Sequence, residues 1–504
     1  MAFKSPKVMA MLFLGFSAGL PILLIFSSLS LWLREAGVER SAVTFFSWAA
    51  LGYSFKFVWA PLVDKLPLPL LTRWLGRRRG WLLLAQIAIA ISIVAMALVD
   101  PSDETRLTWM ALAAVALGFS SATQDVVIDA YRIEAVDSRV QGMMSASYIA
   151  GYRVGMIVAG AGALFLASGF GSTMESYSYQ AWQWSYLIMA LVMLVGMATT
   201  LAVSEPKVEE KADNYPYPTS DYLQLLLLFA FSVTAFALVF FYSGALATII
   251  KQQLVSLIGL ENLLAFVIES LRLVLAVFAA YSVAKIGLGL GVSNKDMVKM
   301  SYVAPVKNFF GQHGIKTALL LLALIGCYRM SDIVLGIISN VFYQDMSFSK
   351  QEIAWAVKTF GVMMAVLGGF LGGLLSMRYG VMRILFIGAI LSALTNLLFI
   401  ALASAGHDLT LLYLVISADN LSAGLASAAF VAFLSSLTNV SFTAMQYALF
   451  SSLMTLLPKF LGGYSGTFVA TMGYSNFFIL TTLLGLPVLV LIVLAKKHLA
   501  LEVR

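Results

Sequence analysis

The residues able to do chemistry in this sequence stand where ionised groups are expensive. Asp125 and Asp129, in "QDVVIDAYR", lie inside an apolar run, with Arg132 close behind them. A spacing of four puts both acids on one helical face. Two carboxyls so placed resist simultaneous ionisation, and desolvation favours the neutral form further, so the pair is suited to binding a proton reversibly. Lys56 and Arg153, in other apolar runs, are cations that either compete with that proton or pair with the acids and hold the region together. Further along, "CYRMSD" sets Arg329 three residues before Asp332, as an internal pair or as a binding site for a carboxylate. Lys358, in "VKTFG", has no acid at helical spacing on its own run and needs a partner from elsewhere or a ligand carboxylate. Asp419 and Asn420 lie in "SADNLSAGLASAAF", where small residues allow tight helix contact. Leaving Arg132 aside and adding Lys459, these give five basic and four acidic groups. When every acid is ionised the slight positive excess favours an anionic ligand.

The elements that must position these groups follow from composition. Of 504 residues 61% are hydrophobic and 11% charged, against about a quarter charged in soluble proteins. Apolar stretches long enough to cross a bilayer as helices recur along the whole chain. Runs such as "LLLLFAFSVTAFALVFF" do not alternate as barrel strands do. The sequence therefore predicts an all-α polytopic membrane protein with about fourteen spans. Lysine and arginine fall on one set of connections in about fourfold excess, which places both termini on the cytoplasmic side. The net charge of +7 is then mostly a topological signal. Lys4 and Lys7 precede a long run without a clear cleavage site, so that run reads as a retained span.

Two polar linkers divide the chain, at 204–222 ("SEPKVEEKADNYPYPTSDY") and at 286–314. They flank a hairpin of two spans, 223–285, within an insertion of 204–314. Six spans remain before it (residues 1–203) and six after it (315–504), the latter followed by a cytoplasmic tail. On the hairpin, Glu269 and Arg272 form a self-sufficient pair. After the second span comes "DKLPLPLLTRWLGRRRG", with Asp64, Arg77, Arg78 and Arg79; the corresponding place in the other half has "MRYGVMR", with Arg378 and Arg383. Both resemble the loop joining the second and third helices in each half of a major facilitator, a cytoplasmic gating loop. The second copy lacks the aspartate.

Other chemistries find no support. No lysine follows a glycine, so no phosphate-binding P-loop is present. His313, His407 and His498 fall in connections or the tail, away from a zinc-type HExxH or a serine–histidine arrangement. Cys327 is alone, so no disulfide framework exists. The expectation is no enzyme, no metal, no cofactor and no nucleic acid, with the proton gradient as driving force. No obligatory protein partner is inferred.

The blocks "FKFVWAP", "GRRRGW", "QDVVIDA", "GYRVGM", "YRMSD", "VKTFG" and "SFTAMQYAL" resemble, in order, those of the AmpG muropeptide permeases. The resemblance covers nearly all the chain except 209–310. It implies a major facilitator fold in the bacterial inner membrane and proton-coupled import of 1,6-anhydromuropeptides, with links to peptidoglycan recycling and β-lactamase induction. It also implies family-level importance for Lys56, Asp125, Asp129, Arg153, Arg329, Asp332 and Lys358. The hairpin departs from the shorter members, and Asp419 stands where a glutamate is expected. A muropeptide offers carboxylates for Arg or Lys and sugar faces for rings, and Trp48, Tyr53, Tyr148, Tyr152, Tyr328 and Trp355 are spaced along candidate helices. Two other readings remain open at this point. One is a carrier of acetyl-coenzyme A or another anionic solute, and the other is a membrane-embedded enzyme or non-transporting sensor.

Overall fold

The computed structural model describes residues 5–38, 51–136, 140–173, 176–206, 217–258, 261–462 and 465–502, and these contain helices and no strand. Among them thirteen helices are long and apolar enough to span a membrane. The remaining span expected from the sequence, 42–63, lies partly outside the described residues. The chain forms two compact units, one of residues 1–211 with 308–504 and one of 212–307.

The larger unit holds both halves. The first comprises α1 (Pro6–Glu35), α2 (51–65), α3 (Arg77–Ala97), α4 (Leu107–Ala135), α5 (Gln141–Gly169) and α6 (Tyr179–Ala202). A proline at its N-terminal position starts α1, where the missing N–H would be unpaired anyway. Helix α2 is broken by a 3₁₀ turn, Lys56–Val58, just before Pro61, which has no N–H for the ladder and so helps interrupt it. Helices α1 and α5 meet through GxxxG patterns, Gly15 and Gly19 against Gly151 and Gly155. A methyl group at any of these would overlap a carbonyl oxygen of the facing helix. Such close backbone approach is what small residues permit where no hydrophobic force separates helix from lipid. The α5 helix widens to a π turn at Val158–Gly162.

In the smaller unit, α7 (Thr219–Ile258) and α8 (Glu261–Gly289) form an antiparallel hairpin. Arg272 of α8 donates to the Phe240 carbonyl at 2.6 Å and lies over the Phe240 ring at 4.5 Å. The side chain of Glu269, expected as its partner, lies outside the described residues. Large apolar side chains such as Phe241, Leu271 and Val274 point outward, as on lipid-facing helices.

The linker expected at 286–314 is helical over much of its length. Met297, Ser301, Pro305 and Phe309 recur every four residues and are buried, so an amphipathic helix suits this stretch better than a loop. A positive φ of 68° at Gly314 kinks the helix there.

The second half continues with α9 (Ala304–Cys327), α10 (Met330–Asp345), α11 (Gly361–Tyr379), α12 (Val381–Ala405), α13 (Leu409–Leu437), α14 (Thr443–Gly462) and α15 (Ser465–Glu502). Here α11 and α13 make the close approach, with Gly368 against the Leu421 carbonyl and Gly424 against that of Ala365. Small residues thus bring different helix pairs together in the two halves.

Candidate functional site

Two clusters of ionised groups are buried in the larger unit. The first lies at the end bearing the Asp64–Arg79 loop. Arg78, 1% exposed, donates through Nη2 to Asp64 Oδ1 at 2.7 Å and to Glu134 Oε1 at 2.6 Å, and through Nε to Glu134 Oε2 at 3.0 Å. Arg77 lies 3.7 Å from Glu134 and donates to the Asp64 carbonyl. The other Asp64 oxygen, Oδ2, accepts from the Met445 amide at 3.0 Å. Met445 is in the first turn of α14, so a carboxylate from the first half meets the unpaired N–H groups and positive dipole end of a helix from the second. Thr443 donates to Glu134 and accepts from Arg78 at 3.1 Å. Lys65, just beyond the apolar run, faces the Phe442 ring at 5.8 Å, and burial pushes its ammonium below the ordinary value despite Asp64 beside it. This is a latch between the halves.

Arg79 serves the same end differently, donating to the Thr200 and Leu201 carbonyls at the end of α6. Glu205 in turn accepts from the Arg78 and Arg79 amides, capping α3. The second-half counterparts do not latch. Arg378 is exposed and lies over its neighbour Tyr379, and Arg383 is exposed. Their loop lacks the aspartate that gives Arg78 a buried counter-ion.

The second cluster lies deeper. Asp129 is shared by two cations, with Lys56 Nζ at 3.5 Å and Arg132 Nη2 at 3.3 Å. Asp125, one turn away on the same face and also buried, keeps its Oδ1 without a hydrogen-bond partner. Tyr53 donates to Ser121 at 2.5 Å beside Asp125, and Tyr148 and Tyr152 lie 6.0 Å apart on α5.

Arg153, expected beside the two acids, lies instead within Coulomb range of Arg329 from the other half. Among the described residues it has neither a carboxylate nor a hydrogen-bond partner. Arg329 is held by Ser427 and by Asp332 Oδ2 at 3.3 Å, and Asp419 lies within Coulomb range of both Asp332 and Arg329. Asn420 donates to the Ile416 carbonyl of its own helix. Two guanidiniums, one from each half, thus lie within Coulomb range of each other, with Asp332 and Asp419 near Arg329.

Other expectations fare differently. Tyr328 is in the core of the second half, stacked on Phe430 at 4.3 Å with its hydroxyl donated to the Leu385 carbonyl. It is 6% exposed, so packing and not ligand contact is its role there. Trp355 is 66% exposed on the outside of its helix. The side chains of Lys358 and Lys459, and Trp48 entirely, lie outside the described residues, although Lys358 belongs to a π-helical segment, Ala354–Phe360.

The major facilitator superfamily profile matches residues 8–295. The chain is 30% identical over 488 residues to the transporter AmpG 4 of Rickettsia conorii, covering 97% of this chain and 96% of that one. The chain belongs to the AmpG family of the major facilitator superfamily. It is also 28% identical over 498 residues to the anhydromuropeptide permease of Escherichia coli K12, covering 99% of this chain and 81% of the permease. Among solved structures it is similar to the proton:xylose symporter XylE bound to 6-bromo-6-deoxy-D-glucose, with a TM-score of 0.58 and 11% identity over 97% of this chain and 94% of that one. It is also similar to FucP in the outward conformation, at 0.60 and 9% over 98% and 99%. Those likenesses show the fold. This AmpG-family protein is a multi-pass membrane transporter and not an enzyme.

Sequence reasoning missed several residues of the site. Glu134 has one signal, an acid closing the same helix as Asp125 and Asp129 opposite a loop of arginines. Thr443 lies within "SFTAMQYAL", but nothing in its type announces the contact with Arg78. Ser435, which meets Arg132 across the halves, has no sequence signal.

Proposed function

We propose that this chain imports 1,6-anhydromuropeptides across the bacterial inner membrane in symport with protons, by alternating access, with both termini on the cytoplasmic side. The observation that carries the reading is the acid pair. Asp125 has a carboxylate oxygen without a partner, and one turn away Asp129 is held by two cations. A buried acid that lacks a hydrogen-bond donor is suited to taking a proton from one side, and its charged neighbours favour giving it up again. No P-loop is present to supply energy by another route. Arg153 and Arg329 face each other from opposite halves, where peptide carboxylates of a muropeptide would bind them together, and Tyr53, Tyr148 and Tyr152 offer rings to the sugars. With the latch closed at the cytoplasmic end, this conformation is the one that receives substrate from outside.

The test is uptake of labelled anhydromuropeptide into vesicles with an imposed pH gradient, beside a direct binding assay. Asp125→Asn and Asp129→Asn should abolish accumulation while retaining binding, and Arg329→Ala and Lys358→Ala should chiefly weaken binding. Uptake by the native protein that ignores a protonophore, or accumulation by both aspartate variants, would sink the proton-coupling assignment. A cysteine replacing exposed Thr173, at the end opposite the latch, should be labelled only from the outer face. Labelling only from the cytoplasmic face would reverse the orientation.

A further inference from the structure

Among the described residues Arg132 is the one cation with hydrogen bonds both to the acid pair and across the joint between the halves. Its guanidinium is fully buried. On the first half, Nη2 meets Asp129 Oδ1 at 3.3 Å and Nη1 donates to Ser145 Oγ of α5 at 2.9 Å. On the second half, the same Nη1 donates to Ser435 Oγ of α13 at 2.8 Å, and the guanidinium lies 5.1 Å from the ring of Tyr447 on α14. Its carbonyl is also fixed, accepting from Gln141 at 3.2 Å. The titratable and charged groups facing Asp129 are Lys56 from α2, Asp125 and Arg132 of its own helix, Tyr148 from α5 and Tyr447 from α14. Of these, Arg132 alone also carries hydrogen bonds to the second half among the described residues.

We propose that Arg132 is the positioning residue through which the charge on Asp129 holds the two halves together at the latch end. The inference rests on the proton-coupled reading above and deepens it, because it assigns to Asp129 the link between proton binding and gating. The physical reason is the counter-ion. Among the described residues Asp129 is the one carboxylate in contact with Arg132, and a buried guanidinium that loses its carboxylate is strongly disfavoured. When Asp129 takes a proton, Arg132 must leave its place to find other acceptors or water. The Ser435 hydrogen bond and the Tyr447 contact leave with it, so the halves lose one joint. Lys56, on the other oxygen of Asp129, has no hydrogen bond or ion pair to the second half among the described residues, so its release removes no polar link between the halves.

Ser376 of α11 reports on that joint, since it is buried next to Gly142 of the first half. In full-length protein with Cys327→Ser and Ser376→Cys, reconstituted in liposomes, the rate of maleimide labelling from the latch side is measured across pH, with a correction for the reagent's own pH dependence. The native background should label slowly at neutral pH and faster as pH falls. Asp129→Asn should label fast at every pH. Arg132→Ala should label about tenfold faster at neutral pH, the scale of one charge-assisted hydrogen bond, and should lose the pH dependence. Arg132→Lys, which keeps the charge, should retain part of it.

Should Arg132→Ala fail to fold, Ser435→Ala carries the test, because it removes only the contact across the halves and leaves the ion pair with Asp129. It should raise the neutral-pH rate severalfold while leaving the low-pH rate unchanged. Labelling of Ser435→Ala and Arg132→Ala that stays as slow and as pH-dependent as the native background overturns the proposal. If these variants behave as expected but uptake ignores a protonophore, the proton-coupling reading fails and the joint stands. If uptake is proton-driven but labelling does not respond to Arg132, only the joint falls.

Discussion

The latch and the deeper cluster are built from the same residue types, yet they differ in how completely those residues are satisfied. At the latch, both oxygens of Asp64 and both of Glu134 have donors, and Arg78 is the common centre of the network. In the deeper cluster, among the described residues, Asp125 keeps an oxygen without a partner, Arg153 has no acid, and Asp129 is divided between two cations. A buried network whose carboxylates all have donors rigidifies what it joins, even with Arg78 Nη1 left without a partner among the described residues, whereas buried acids without donors are disfavoured unless something transient completes them. The first therefore reads as a joint of the scaffold and the second as a place for a proton and an anion.

Variants sharpen this contrast, and the largest effect on stability should come from the latch. Arg78→Ala leaves Asp64 and Glu134 buried without their shared counter-ion, and breaking one side of a buried pair destabilises by about 3–5 kcal/mol. Thermal unfolding in detergent should show that loss; a melting temperature equal to the native one would mean the network is solvated. Arg153→Gln should do the opposite to the two readouts. Removing a half-buried charge that has no partner among the described residues should leave the melting temperature unchanged or higher, while muropeptide binding weakens about tenfold to a hundredfold, the range of a charge-assisted contact. If Arg153→Gln destabilises as much as Arg78→Ala, Arg153 has a structural partner and the contrast breaks.

Smaller still is the effect expected at the second-half loop. Arg378→Ala and Arg383→Ala are surface changes, and their stability should stay within about 0.5 kcal/mol of the native protein. A loss on the scale of Arg78→Ala would restore them to the latch. The smallest effect belongs to Lys65. Burial holds its ammonium below the ordinary lysine value, so between the folded value and the ordinary one the unfolded chain binds more protons. Stability contributed by this group therefore rises with pH through that alkaline interval and levels off above the ordinary lysine value. Lys65→Met should remove that rise, as read from melting temperatures across alkaline pH; an unchanged slope would assign it to another group.

Much of this was legible in the sequence because membranes impose strong constraints. Long apolar runs must be helices, since a backbone in hydrocarbon can satisfy itself only that way or as a barrel. The few charges within those runs stood out for the same reason, and so Asp125, Asp129, Lys56, Arg153, Arg329 and Asp332 could be named from type and position alone. Spacing gave the contacts that stay on one helix, such as Arg329 with Asp332. Of what crosses between helices, the pairing of Lys56 with an acid of the pair was anticipated, but most of the rest was not legible. Arg153 was expected with the acids and faces Arg329, Tyr328 was expected at the ligand and packs on Phe430, and Arg378 repeats the loop pattern of the first half without a buried partner. Helical spacing fixes neighbours along one axis, whereas the partner of a side chain pointing away from its helix depends on how that helix is rotated and how near its neighbours come. Those are set by glycine seams such as Gly15 and Gly19 against Gly151 and Gly155. The sequence by itself thus determined which residues are costly enough to need partners, and only the tertiary structure decided which partners they have, and that Arg132 reaches from the acid pair to the second half.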